Sequence, residues 1–153
     1  MSLRVSIEES YKEAIKSKKL EKANTLRLIK SAIKDKDIEN RTSESSKQIS
    51  DHQILVLLQN LIKQRKDSIE SFKIASRHDL IVKEQLEIDL IIQFLPKQLN
   101  ERETEEIIKE IIKKQSFSSL KDMGALMNNL KFEHAGSVDM AMAGKIAKLL
   151  LNN

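Results

Sequence analysis

The chain has 153 residues, 40% of them apolar and 33% charged, with a formal net charge of +4 and no cysteine. These figures allow one large domain or two small ones, and they exclude a disulfide framework, thiolate metal sites and a cysteine nucleophile. There are three glycines and one proline, and neither type occurs among residues 1–95. That excludes a sheet protein, whose frequent turns draw on both residues.

Apolar spacing predicts the helices in chain order. Leu3, Ile7, Tyr11, Ala14 and Ile15 mark a first helix from about Ser2 to Ser17. Leu26, Ile29 and Ile33 mark a second, from about Leu20 to Ile38. Arg27, Lys30 and Lys34 recur on that same helix, about 100° around from its apolar stripe, so one face can pack while its neighbour stays wet and positive. Residues 39–50 (ENRTSESSKQIS) lack periodicity and predict a long, mobile loop. Ser50 with Gln53 reads as a capping box that opens a third helix running to about Ala75, with Ile54, Leu58, Leu61, Ile62, Ile69 and Phe72 on its buried stripe. A fourth helix, about His78 to Leu95, is apolar around most of its circumference, which predicts a central place in the bundle. Pro96 ends it, because the residue before a proline avoids helical geometry.

Beyond Pro96, Asn100 with Glu103 reads as a second capping box. The helix it opens carries acids in its first turns and lysines in its last, as the helix dipole favours. Two shorter helices, Leu120 to Leu130 and Val138 to Leu151, complete the pattern, the last opened by Ser137 or Asp139. The expected architecture is all-α, with an N-terminal helical bundle over 1–96 and a smaller three-helix tail domain over 97–153.

Charge is unevenly spread. Residues 12–36 hold nine basic and three acidic residues, a local +6, which leaves −2 for the rest of the chain. Such an excess fits a nucleic-acid footprint, and it equally fits a solvated helical face. The first nine residues carry charges where a signal peptide needs an apolar run, and no stretch approaches the roughly 18 apolar residues of a membrane span. A cytoplasmic protein without a membrane partner is expected.

Four stretches carry a further signal: LRLIKSAIKDKDIE (Leu26 to Glu39), QRKDSIESF (Gln64 to Phe72), FLPKQLNERE (Phe94 to Glu103) and KDMGALM (Lys121 to Met127). In their order and spacing the chain resembles the GatB/YqeY family, specifically its stand-alone YqeY-like members, over nearly its whole length. The resemblance implies an all-α protein whose tail is similar to that of the GatB component of the glutamine-dependent tRNA amidotransferase. In that enzyme the tail helps to hold tRNA while catalysis occurs elsewhere. It also implies tRNA, or a tRNA-charging or tRNA-amidating enzyme, as partner. By family alone it implies carbon–nitrogen ligase activity with glutamine as amido donor. The family's tail loop typically reads K-G-R-A-D-G. Here Ala135, Gly136, Ser137, Val138, Asp139 and Met140 stand in that place. Gly136 and Asp139 match, and both cations are missing, which removes part of the loop's attraction for phosphate.

No catalytic constellation stands out. His52, His78 and His134 lie on separate elements without metal-ligand spacing. Neither a G-x-S-x-G elbow nor a P-loop occurs, and Ser45 to Lys47 (SSK) reads as part of the polar loop. No cofactor or metal is expected. Arg65 lies on the apolar stripe of the third helix, where an unpaired guanidinium would be costly. Either it snorkels or pairs with an acid such as Asp89 or Glu87, or it faces an anion at the lip of the bundle with Lys63, Lys66 and Lys73 extending the positive surface. The candidate nucleic-acid-binding residues are Arg27, Lys30, Lys34, Arg65 and Lys66, with Lys131 and Lys145 in the tail. Aromatic residues are 3% of the chain, so base stacking is expected to be weak and RNA contact to run through shape and phosphate. The expected function is a tRNA-associated accessory or binding protein. The alternatives are a helical protein-interaction module and an amidotransferase.

Overall fold

A computed structural model of the chain describes residues 2–41 and 47–152. Among the described residues the protein is all-α, with seven helices and no strand. The helices are α1 (Leu3–Lys16), α2 (Leu20–Glu39), α3 (Asp51–Ile74), α4 (His78–Ile92), α5 (Glu101–Gln115), α6 (Met123–Glu133) and α7 (Met140–Leu151). A single 3-10 turn, Leu120–Asp122, leads into α6. No helix among the described residues is long and apolar enough to cross a membrane.

The chain gathers into two compact units, Met1–Leu95 and Pro96–Asn153, each with its own buried cluster. In the first, Leu26, Ile29, Ile54, Leu58 and Ile91 are fully enclosed. Helices α2 and α3 each touch all three other helices of this unit, whereas α1 and α4 do not meet. The inner pair is therefore α2 with α3. The expectation that α4 is central is corrected. Only Ile88 and Ile91 of α4 are buried, while Val82 and Leu86 stay 59% and 56% exposed. A helix apolar all round tells how much it could bury, not how many neighbours it has.

Both capping boxes form as the sequence predicts. Ser50 accepts from the Gln53 amide while the Gln53 side chain accepts from Ser50 N–H, and Asn100 and Glu103 make the same exchange. Three other helix ends use a device the sequence hides. Lys18, Ser76 and Ser116 adopt left-handed backbone with φ near +57°, +56° and +57°. Each time the following amide reaches back to a carbonyl five residues earlier: Lys19 to Ala14, Arg77 to Phe72 and Phe117 to Ile112. This is the closure that glycine usually makes, which is how residues 1–95 turn sharply twice without one. A non-glycine residue is strained there by about 1–2 kcal/mol, and glycine's extra freedom in the unfolded chain returns roughly half of that. Ser76→Gly is therefore expected to stabilise the protein by about 0.5–1 kcal/mol. An unchanged or lowered urea midpoint would contradict the strain.

The segment before α3 also differs from expectation. Residues 42–46, five of the twelve in the loop predicted as mobile, lie outside the described residues. Its last part is anchored. Ile49 is buried, its N–H donates to Asp37 Oδ1 at 2.8 Å, and its carbonyl accepts from Arg4 Nη2 at 3.2 Å. Arg4 in turn grips Asp37 with two bonds, at 2.9 and 3.0 Å. One carboxylate thus ties α1, α2 and the entry to α3 together.

The second unit packs Ile108 and Ile111 of α5 against Leu126 and Leu130 of α6 and Ala143 and Ala147 of α7. Here α7 starts two residues later than the apolar pattern suggests. Val138 is buried outside the helix, and Asp139 caps it by accepting from the amides of Ala141 and Met142. Gly136 takes φ 78°, a left-handed conformation that suits glycine, and its carbonyl accepts from the Gln98 side chain at 2.6 Å.

Candidate nucleic-acid interface

The α1–α2 hairpin carries the candidate site. Its two helices run antiparallel about the turn at Lys18, so residues equally far from Lys19 in sequence face each other. Glu8 meets Lys30, with Oε2 to Nζ at 2.8 Å, and Tyr11 meets Arg27, with the hydroxyl 3.2 Å from Nη2. The Tyr11 ring also lies 4.2 Å from Lys30 Nζ and 5.7 Å from Arg27 Cζ, so one aromatic ring meets both cations. Arg27 is further held by Asn24 Oδ1 at 3.1 Å.

Toward the start of α1 the hairpin opens into a cleft of about 220 Å³. Ile7 and Ile33 line it beside Arg4, Glu8, Lys30, Lys34 and Asp37. Two of its three cations are matched internally, Arg4 by Asp37 and Lys30 by Glu8. Lys34 is exposed and makes no ion pair among the described residues, so it supplies the cleft's uncompensated charge. The Lys30 ammonium bonded to it holds the Glu8 carboxyl below its ordinary range. Arg4 does the same for Asp37, helped by the Ile49 amide.

The sign of the Asp37 effect sets a pH prediction. A carboxyl with a depressed folded-state pKa stabilises fully above its unfolded value, near 3.8, and loses that contribution as pH falls through the lower folded value. Asp37→Asn is expected to cost about 2 kcal/mol at neutral pH, since it removes charge-assisted bonds. The stability curves of the variant and the wild type should converge below about pH 3.8. Curves that stay parallel into acid would contradict this role.

The remaining candidates are scattered. Arg65 is largely enclosed; its Nε bonds Glu87 Oε2 at 2.8 Å and its Nη1 bonds the Leu61 carbonyl at 3.0 Å. Of the acids that could have met it, Glu87 does so, while Asp89 accepts from Gln85 instead. Lys66 is exposed on α3, one residue on from Arg65. In the second unit, Lys131 is exposed on α6 and Lys145 on α7. Ser45 of the SSK stretch lies outside the described residues, and among those described no three His, Cys, Asp or Glu residues gather as a metal site.

Sequence reasoning missed Arg4, Glu8, Tyr11 and Asp37. Only the hairpin register, readable once the turn is known, would have paired Glu8 with Lys30. It also undervalued Phe132, which is 81% exposed on α6 beside Lys131, so one aromatic ring is presented after all.

Comparison with known proteins places this hairpin in a family. Residues 4–151 match the model of the family described as Yqey-like protein. A protein of Schizosaccharomyces pombe is 34% identical over 95 residues, which cover 62% of this chain and 73% of that protein. The protein of Saccharomyces cerevisiae named altered inheritance of mitochondria protein 41, mitochondrial, is 36% identical over 84 residues, covering 55% of this chain and 43% of that protein. A protein of the same name from Pyrenophora tritici-repentis is 30% identical over 132 residues, 82% of this chain and 69% of its own length. The chain thus spans less than half of the budding-yeast relative. Because the family match takes in both buried clusters and every helix described above except the first residue of α1, the chain belongs to the Yqey-like protein family.

Proposed function

We propose that this protein is a tRNA-associated accessory protein that holds RNA by its phosphate backbone and works beside a tRNA-charging or tRNA-amidating enzyme. The observation that carries this reading is the basic face of α2, where Arg27, Lys30 and Lys34 recur within the charge excess of residues 12–36. Arg27 and Lys34 are exposed there, and Lys34 has no internal counter-charge among the described residues. The resemblance of the tail to that of a tRNA-handling subunit points to the same class of partner. The relatives in Saccharomyces and Pyrenophora bear the word mitochondrial in their names. Catalysis has no support in the residues beyond the family resemblance.

The test is retention of total tRNA on filters across a salt series. A phosphate-driven complex weakens steeply as salt rises, because each neutralised phosphate releases counterions. No complex at low salt would overturn the reading. One observation favours a protein partner instead: Val82 and Leu86 lie one helical turn apart on α4, both more than half exposed. A protein partner that stays bound after nuclease treatment would favour this second reading.

A further inference from the structure

The tip of the α1–α2 hairpin is distinct from the cleft at its other end. Lys16, Lys18 and Lys19 surround the turn, all exposed, with Lys12 and Lys22 one turn away on either helix. None of the five has an ion pair among the described residues; Glu13 and Glu21 lie among them, and Glu8 and Glu9 lie one turn back from Lys12, whose charge Glu8 feels. Two large aliphatic side chains bracket the same turn in the open, Leu20 at 70% and Ile15 at 48% exposure. The closure that makes the tip compact holds Lys18 in left-handed backbone and commits the Lys19 amide to Ala14. The lysines therefore spring from a fixed turn.

We propose that this tip docks on an anionic lipid surface, with the lysines at the phosphate headgroups and Leu20 and Ile15 entering the boundary below them. Charge complementarity selects an anionic partner. The aliphatic pair selects a bilayer over RNA, since exposed leucine and isoleucine gain nothing from a sugar–phosphate backbone but are favoured at a headgroup–acyl boundary. Docking of this kind needs no spanning helix, so it is compatible with helices too short or too polar to cross. The second hairpin supplies an internal contrast. The α3–α4 tip repeats the turn and exposes Ile74 at 88%, but Lys73 pairs with Glu70 and Arg77 with Asp79. It has the apolar side chain without the free charge.

The experiment is co-sedimentation of the full chain with phosphatidylcholine vesicles and with vesicles half phosphatidylglycerol, at low and physiological salt. The chain is expected to sediment with the anionic vesicles alone. Each lysine near such a surface contributes about fivefold, so Lys16→Gln, Lys18→Gln and Lys19→Gln together should weaken binding on the order of a hundredfold. Leu20→Ser should weaken it several-fold, and Ile74→Ser should leave it unchanged, with circular dichroism showing each variant folded. No sedimentation with anionic vesicles at low salt, equal binding to neutral vesicles, or indifference to the lysine variant would overturn the proposal. So would loss of tRNA retention in that variant with no vesicle binding by the wild type, which would assign the tip to RNA.

Discussion

Leu58→Ala is expected to destabilise the protein by about 3–4 kcal/mol, in the middle of the range for such truncations. Leu58 is 0% exposed and lies on α3, which touches α1, α2 and α4. Close-packed neighbours on three sides cannot collapse fully into the space a leucine leaves, so a cavity cost adds to the lost transfer energy. Val82→Ala on α4 is the matched comparison. Its side chain is 59% exposed, and truncation should cost no more than about 0.5 kcal/mol. Urea denaturation followed by circular dichroism measures both. Equal losses would mean that Val82 is as enclosed as Leu58 and would contradict the outer place of α4.

The second large effect concerns Arg65 and Glu87. Their side chains are only 12% and 16% exposed, and the pair spans α3 and α4. Glu87→Ala should cost about 2–3 kcal/mol, somewhat below the usual figure for a fully buried pair, because the stranded guanidinium keeps its bond to the Leu61 carbonyl and some access to water. Replacing both, as Arg65→Met with Glu87→Leu, should recover most of the loss, since an apolar pair of similar volume removes the uncompensated charge. A single variant within about 0.5 kcal/mol of wild type would mean the pair is effectively solvated. An additive double variant would mean the two residues are not coupled.

These two sites show what the sequence could and could not reveal. The helices were legible because their period and caps are local: Ser50 with Gln53 and Asn100 with Glu103 are three residues apart, and each pair forms its box. That Arg65 needs a partner or a route to solvent was also legible, with an acid of the next helix among the readings, because burial of an unpaired charge is costly. The packing rank of α4 was not, since periodicity counts apolar side chains and is silent about neighbours. The breaks near Lys18 and Ser76 were legible, but their left-handed closure was hidden because the usual marker, glycine, is replaced by strained residues. At the candidate site the basic stripe was legible, but its partial neutralisation was not. Glu8 reaches Lys30 and Arg4 reaches Asp37 across 22 and 33 residues, through tertiary register alone. The charge excess therefore overstates the free cations of the stripe, where Lys34 stands out.

The most direct measurement is the log–log salt slope of tRNA retention for the wild type and Lys34→Gln. Lys34 is exposed and outside the core, so the variant should fold with stability within about 0.5 kcal/mol of wild type. If α2 holds RNA by its phosphates, removing this cation should weaken binding and shallow the slope by about 0.7–0.9, the share of the one phosphate no longer neutralised. A folded Lys34→Gln protein that retains tRNA with an unchanged affinity and slope would show the stripe to be a solvated face and contradict the proposed interface.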